Sequence, residues 1–235
     1  MKPSKESKAI IILGPPGAGK GTQAELLADE LGIEYVETAK TGERRIKESK
    51  KGQYVLVEGK RYYFEDQKKL WLEGKLWDPP FVTVLIKEEI KKIVKERKGV
   101  VFGGSPRTLY EAERVIPYLS KLYGLKNVLI LLIEVSPKAS IWRNSHRRIC
   151  QLMRHPIIYT KETASLKHCP LDGSKLIKRK GLDDPETIKT RLKEYEGRTL
   201  PVIQFAKKEK VRIARINGEQ AVANVFGDIV KAMGR

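Results

Sequence analysis

Cysteine is scarce in this chain of 235 residues, with two in all. That excludes a disulfide scaffold and makes a reducing cytoplasm the expected setting. Long apolar runs are also missing. The best, Ala9–Leu13 and Val128–Ile133, fall far short of the roughly 18 residues of a membrane span, so no membrane partner is expected. The start, MKPSKESK, is positively charged, but the apolar run behind it is too short for a signal peptide and ends in GPPG. No repeat or low-complexity tract occurs. Aromatic residues make up only 7%, and no nucleic-acid-binding motif is present, so nucleic acid is not an expected partner. Acid is short relative to base: 29 Asp and Glu against 47 Lys and Arg leave a net charge of +18. Such a surface attracts polyanions, nucleotides among them.

What is present alternates between two periods. Ala9–Leu13, Gly99–Phe102 and Val128–Val135 are continuous apolar runs suited to buried parallel strands, and Val211–Ile216 alternates as a short edge strand would. Helical spacing fills the intervals Gly21–Leu31, Tyr110–Tyr123, Ser136–Arg148, Pro185–Lys208 and Ala221–Ala232. Strand–helix alternation predicts an α/β fold, a three-layer α/β/α sandwich around a parallel central sheet. Two stretches break the rhythm. Thr38–Lys98 is lysine-rich and holds a hairpin pattern, Tyr54–Phe64, turning at Glu58-Gly59. Cys150–Lys180 contains both cysteines, two of the three histidines and the turn-forming Cys169-Pro-Leu-Asp-Gly173. Both read as insertions mounted on the core.

The strongest chemical signal is Gly14-Pro15-Pro16-Gly17-Ala18-Gly19-Lys20-Gly21-Thr22, placed directly after a strand and opening a helix. Glycines let successive N–H groups turn in around a phosphate, and the helix N-terminus adds its positive dipole end. Lys20 supplies a point charge for the β- and γ-phosphates, and Thr22 a hydroxyl beside a magnesium ion. A nucleoside triphosphate is the expected ligand.

In its GxPGxGKGTQ form the loop resembles that of adenylate kinase and the related nucleoside monophosphate kinases. Three further stretches carry the resemblance in order: Ser105-Pro-Arg107-Thr108-Leu-Tyr-Glu111-Ala-Glu113; Arg143 with Arg147 and Arg148; and Asp183-Asp184-Pro-Glu186 through Arg191 to Tyr195, followed by Pro201-Val-Ile and Ile216-Asn-Gly218. The resemblance implies a core of residues 1–39, 99–148 and 183–235, an acceptor-binding arm at 40–98 and a lid at 149–182. It implies transfer of the γ-phosphoryl group of MgATP to a nucleoside monophosphate, AMP first, by a monomer. Lys20, Arg143, Arg147 and Arg191 would surround the transferring group, and Arg107 would grip the acceptor's phosphate. ATP would also meet Gly14, Pro15, Gly17, Ala18, Gly19, Gly21, Thr22, Gly218 and Gln220. The acceptor would meet Thr41, Gly42, Arg45, Lys75, Leu76, Gly104 and Glu111.

The chain departs from the family pattern in ways that matter chemically. Gly103 stands where the family has an aspartate that orders metal-bound water, leaving Asp183 or Asp184 as acidic candidates. The arm's TGDxxR reads Thr41-Gly42-Glu43-Arg44-Arg45-Ile46, so the second acceptor arginine is Arg44, Arg45 or absent, and the arm is longer by about a hairpin. The lid-exit cation is Arg179 or Lys180. The lid of zinc-bearing relatives carries paired CxxC loops, whereas this one offers Cys150, Met153, His155, Cys169 and Asp172. Cysteine, histidine and aspartate form an acceptable Zn²⁺ set and methionine does not, so Cys150, His155, Cys169 and Asp172 are the candidate ligands. His168 is a spare candidate and His146 reads as structural or phosphate-facing. Glu111 replaces a glutamine that can both donate to and accept from adenine. An ionised carboxylate only accepts, so it tolerates AMP and could favour GMP; a CMP or UMP preference also stays open. A small-molecule kinase of another type lacks the paired Arg107 and Asp183–Arg191 segments, and a basic ATP-binding protein associated with nucleic acid is the remaining rival.

Overall fold

The computed structural model describes residues 7–73, 75–154, 156–179 and 183–234. From the N-terminus come β1 (Ala9–Leu13), α1 (Lys20–Leu31), β2 (Glu34–Val36), α2 (Thr38–Glu48), β3 (Tyr54–Val57), β4 (Lys60–Tyr63), α3 (Phe64–Leu72) and α4 (Pro79–Lys95). The middle supplies β5 (Val100–Gly103), α5 (Leu109–Tyr123), β6 (Val128–Glu134), α6 (Pro137–His146), β7 (Arg148–Cys150), β8 (Pro156–Ile157), α7 (Lys161–Ala164) and β9 (Leu176–Ile177). The chain closes with α8 (Pro185–Glu194), α9 (Leu200–Lys208), β10 (Arg212–Asn217) and α10 (Val222–Ala232).

Five strands form a parallel sheet in the order β10-β6-β1-β5-β2. Every residue of β1 is buried because both of its faces are covered. Its odd-numbered side chains, Ala9, Ile11 and Leu13, join Val100, Phe102, Ile130 and Leu132 against α4, α5 and α9. The even ones, Ile10 and Ile12, join Val101, Leu129 and Leu131 against α1 and α10. The period-2 alternation of a strand therefore feeds two helical layers, the three-layer sandwich that the apolar runs predict. Each fully buried Ile or Leu contributes about 1.5–3 kcal/mol.

The edge strand β10 lies where its alternation places it, while the opposite edge, β2, has no signature in the sequence. Glu34-Tyr35-Val36 is three residues long and mostly polar, and only its pairing to β5 makes it a strand. The helix expected over Pro185–Lys208 is interrupted. A π-helical turn at Tyr195–Thr199 separates α8 from α9, next to Pro201, whose ring cannot follow an unbroken α-helical hydrogen-bond ladder.

Both rhythm-breaking stretches form small sheets of their own. β3 pairs with β4 through Glu58 and Gly59, which both take positive φ (51° and 79°), as the tight hairpin predicted at that dipeptide requires. The hairpin packs with Ile46, Phe64, Phe81 and Leu85 in a local cluster. α4 buries Phe81 and Leu85 there and Ile86, Ile90, Ile93 and Val94 in the main core, so one helix ties the two together. β8-β7-β9 make an antiparallel sheet over Cys150, Ile157 and Cys169.

Within α2, Gly42 carries the edge of the Trp77 ring, and a Cβ there would lie 2.0 Å from Cζ3. Gly42→Ala is expected to cost about 1–3 kcal/mol through overpacking, read as a fall of several degrees in Tm. Gly197→Ala, where an added Cβ meets nothing, is the control that holds or raises Tm.

Candidate active site

The loop between β1 and α1 is built around contacts that only glycine permits. A Cβ on Gly14 would sit 2.4 Å from the Ile133 carbonyl oxygen, and one on Gly17 would lie 2.5 Å from Asn144 Nδ2. Gly19, at φ 83°, turns the chain into α1. α6 braces the loop from outside. Ser140 Oγ donates to the Pro16 carbonyl at 2.6 Å, Asn144 Nδ2 donates to the Ser140 carbonyl at 2.7 Å, and Arg143 Nη1 reaches the Gly17 carbonyl at 3.5 Å. Lys20 Nζ folds back onto the carbonyls of Gly14 and Pro15, 2.8 Å from each. Ala18 is buried, and Gly21 and Thr22 form the first turn of α1.

Around this loop the structure gathers positive charge. Burial, with Arg107, Arg191 and Arg147 nearby, pushes the Lys20 ammonium well below its usual range. Burial and the neighbouring Arg179 push Arg147 down to about 10, and Arg191 likewise to about 10 with Arg107 and Arg147 adding to the repulsion. Cations destabilise one another in this way where anions are in short supply. Asp183 is committed elsewhere: its two carboxylate oxygens accept from Arg179 Nε at 2.9 Å and Nη2 at 2.6 Å, with the Asp183 side chain 2% exposed. Asp184 caps α8, accepting from the N–H groups of Glu186 and Thr187. Of the two sequence candidates for the lid-exit cation, Arg179 makes the pair, and Lys180 lies outside the described residues.

A cleft opens beside Arg107, lined by Thr38, Ala39, Trp71, Lys75, Leu76, Trp77, Val82, Ser105 and Glu111. Gly104, at φ 109°, lies against the Arg107 guanidinium, and its carbonyl accepts from Arg107 Nε. Lys75, Leu76, Arg107 and Glu111 thus come together as expected. Thr41, Gly42 and Arg45 do not join them. They occupy the second and third turns of α2, where Gly42 packs on Trp77 and Arg45 pairs with Glu88 at 2.5 Å. Arg44 pairs with Glu89 at 3.3 Å. Thr38, at the first turn of α2, faces the cleft in their stead, its Oγ1 donating to Ser105 Oγ at 2.9 Å. Being three residues upstream of the Thr41-Gly42 pair, it was masked by the stronger local match.

Glu111 is buried and faces this cleft, but its carboxylate serves the chain first. It accepts from the Arg107 N–H at 3.0 Å, from Thr108 Oγ1 at 3.0 Å and from Ser105 Oγ at 3.5 Å. Thr108 Oγ1 in turn accepts from the Glu111 N–H. Thr108-x-x-Glu111 is a capping-box sequence, a signal legible in the chain. Burial pushes the Glu111 carboxyl up from its usual range while these donors pull it back. On the far side of the loop, Gly218 N–H donates to the Glu134 carbonyl at 2.8 Å. Gln220 Nε2 donates to the Asn217 carbonyl and to Asp228.

In the lid segment Cys150, Cys169 and Asp172 bring their ligand atoms within 4.8 Å of one another. Cys150 Sγ donates to Asp172 at 3.0 Å, and that bond with those from Ser174 holds the Asp172 carboxyl well below its usual range. Two sulfurs and a carboxylate at this spacing suit a tetrahedral Zn²⁺ ion. His155 lies outside the described residues, Met153 is exposed, and His168 pairs by its backbone with Lys175. His146 stacks on Trp142 with ring centroids 4.9 Å apart. No described helix is long and apolar enough to cross a membrane.

A family model described as adenylate kinase matches residues 12–211. An adenylate kinase from Clostridium botulinum strain Hall is 33% identical over 230 residues, covering 96% of this chain and 98% of that protein. One from Clostridium perfringens strain SM101 is 32% identical over 228 residues, covering 96% and 98%.

A lysine whose folded-state pKa is lowered destabilises the fold at pH values where its ammonium is kept, and that cost fades as pH rises through its folded value. Lys20→Met removes the charge. It is therefore expected to raise Tm at neutral pH in the absence of ligand, while abolishing the stabilisation that inorganic tripolyphosphate gives the wild type in a thermal-shift titration.

Proposed function

The chain belongs to the adenylate kinase family, and on that footing we propose that it catalyses ATP + AMP ⇌ 2 ADP. An oxygen of the AMP phosphate attacks the γ-phosphorus. The bond from that phosphorus to the β–γ bridging oxygen breaks, and its electron pair stays on the departing ADP. Such a transfer needs alignment, charge neutralisation and exclusion of water more than covalent chemistry. The observation that carries the reading is the cluster of Lys20, Arg107, Arg147 and Arg191 between the phosphate loop and the cleft. Lys20 would hold the β- and γ-phosphates, Arg147 and Arg191 the γ-group in flight, and Arg107 the acceptor. Arg143, placed by its bond to the loop, would sit over the ATP side with Gly218 and Gln220. Guanidinium forks suit phosphate because they are planar and always charged. Residues 40–98 would close over the acceptor and 149–182 over ATP, assembling the site when both are bound.

The base follows from counting lone pairs. A carboxylate has about four acceptor positions, and the three donors from Arg107, Thr108 and Ser105 leave about one on Glu111. One acceptor matches the single N6 amine edge of adenine. Guanine, with N1–H and N2–H₂ side by side, needs two. This favours AMP over GMP.

Mg²⁺ would enter with ATP and neutralise charge on its phosphates. Thr22, in the first turn of α1, would offer a hydroxyl to its water shell, while Asp183 pairs with Arg179 and Asp184 caps α8. Cys150, Cys169 and Asp172, with His155 as the fourth donor, would hold Zn²⁺ as a structural ion, and two such thiols suit a reducing cytoplasm.

Two outcomes are expected. In a coupled ADP-production assay across AMP, GMP, CMP and UMP, kcat/KM for AMP should exceed each of the others by about 100-fold or more. GMP turned over faster than AMP would overturn the lone-pair argument. Protein purified without chelator should carry close to one zinc per chain, and Cys169→Ala should lower Tm by several degrees more than it lowers activity. Absence of stoichiometric metal would contradict the zinc lid.

A further inference from the structure

Gly103 ends β5 at the edge of the phosphate site, and the space beside it is taken. A Cβ on Gly103 would lie 2.9 Å from both Cε2 and Oη of Tyr35. The same hydroxyl would be 3.4 Å from a Cβ on Gly21, the residue after Lys20 in the first turn of α1. Tyr35 is the middle residue of β2, the sheet's polar edge strand, so its ring reaches from that edge across the end of β5 to the start of α1. There its Oη is a polar atom with no hydrogen-bond partner among the described residues. Any side chain at position 103 would have to displace this ring. Burial, with Glu37 and Glu25 in range, holds the phenol above its usual range while Arg107 pulls the other way. The hydroxyl therefore keeps its proton at neutral pH and is a donor. Of the cations around the phosphate loop, Arg107 is the one in its range, and Gly21, against which the hydroxyl lies, directly follows Lys20.

We propose that Tyr35 is a catalytic residue whose hydroxyl donates a hydrogen bond to a phosphate oxygen of the bound nucleotides, at the junction between the phosphate loop and Arg107. The proposal rests on the reading of this site as one for ATP and AMP. A neutral donor there adds a directed hydrogen bond to a region where a further cation would only deepen the repulsion. It also places no negative charge beside the phosphates, unlike a carboxylate.

The test compares wild type, Tyr35→Phe and Gly103→Ala. Hydrogen bonds to charged partners set the expected size of the effect. Tyr35→Phe keeps the ring and should lower kcat about 10- to 100-fold and weaken MgATP binding severalfold in calorimetry, with Tm within about 2 °C of wild type. Gly103→Ala keeps the hydroxyl but pushes the ring away, and should lower kcat in the same direction; it carries the test should Tyr35→Phe lose stability. Turnover and ATP affinity of both variants within twofold of wild type would overturn the proposal. So would a binding defect that disappears when EDTA replaces Mg²⁺, since the hydroxyl would then serve metal-bound water and not phosphate. A wild type that neither binds ATP nor forms ADP would overturn the parent reading instead.

Discussion

Burial of Lys20, Arg147 and Arg191 together, with Arg107 in range, is the constraint on which the rest of the structure turns. A folded chain tolerates four cations around one loop only if the scaffold holding them is stable without their help. The buried β1 strand, packed through both faces, provides that rigidity. The loop's own geometry is fixed by backbone contacts at Gly14 and Gly17 and by the α6 side chains Ser140 and Asn144. The nearest acids are used as structural partners, Asp183 for Arg179 and Asp184 for a helix N-terminus. The site is left poised for a polyanion, which must come from the substrates.

That arrangement also explains why the two inserted segments are built differently. The segment holding β3, β4 and α3 has its own apolar cluster but shares α4 with the core, so one helix anchors it through its C-terminal half. The segment holding β7, β8 and β9 has a small cluster of Cys150, Ile157 and Cys169 with Leu176 packed against it. Small units that bury little apolar surface are commonly held by a metal, and Cys150, Cys169 and Asp172 bring their ligand atoms within 4.8 Å of one another here.

Much of this was legible in the chain. β1, the phosphate loop and α1 are local, since each is specified by residues adjacent in sequence, and so is the Glu58-Gly59 turn. Motif positions mark Lys20, Arg107, Arg147 and Arg191, and the structure brings the three arginines near the lysine. What stayed hidden was non-local or overwritten by a stronger local pattern. β2 exists because β5 lies beside it, and nothing in Glu34-Tyr35-Val36 announces that. Thr41-Gly42 carries the stronger local pattern, and only the fold shows Gly42 packed on Trp77 and Thr38 lining the cleft. Glu111 reads in the sequence as a group facing the acceptor base, and the capping-box spacing from Thr108 gives it a structural duty as well. The pairing of Tyr35 with Gly103 joins positions far apart in sequence, and no pattern along the chain reveals it.

The central claim is that the buried positive charge of Lys20 is stabilised by nucleotide phosphates. Its most direct test is the titration of the Lys20 ammonium, followed by NMR of lysine labelled at Cε, with Lys20→Met used for assignment. The account predicts that in the ligand-free protein this lysine titrates well below the ordinary lysine range, and that ATP moves it upward, because an adjacent anion favours the charged form. A Lys20 that titrates at the ordinary value without ligand and does not shift when ATP binds would contradict it.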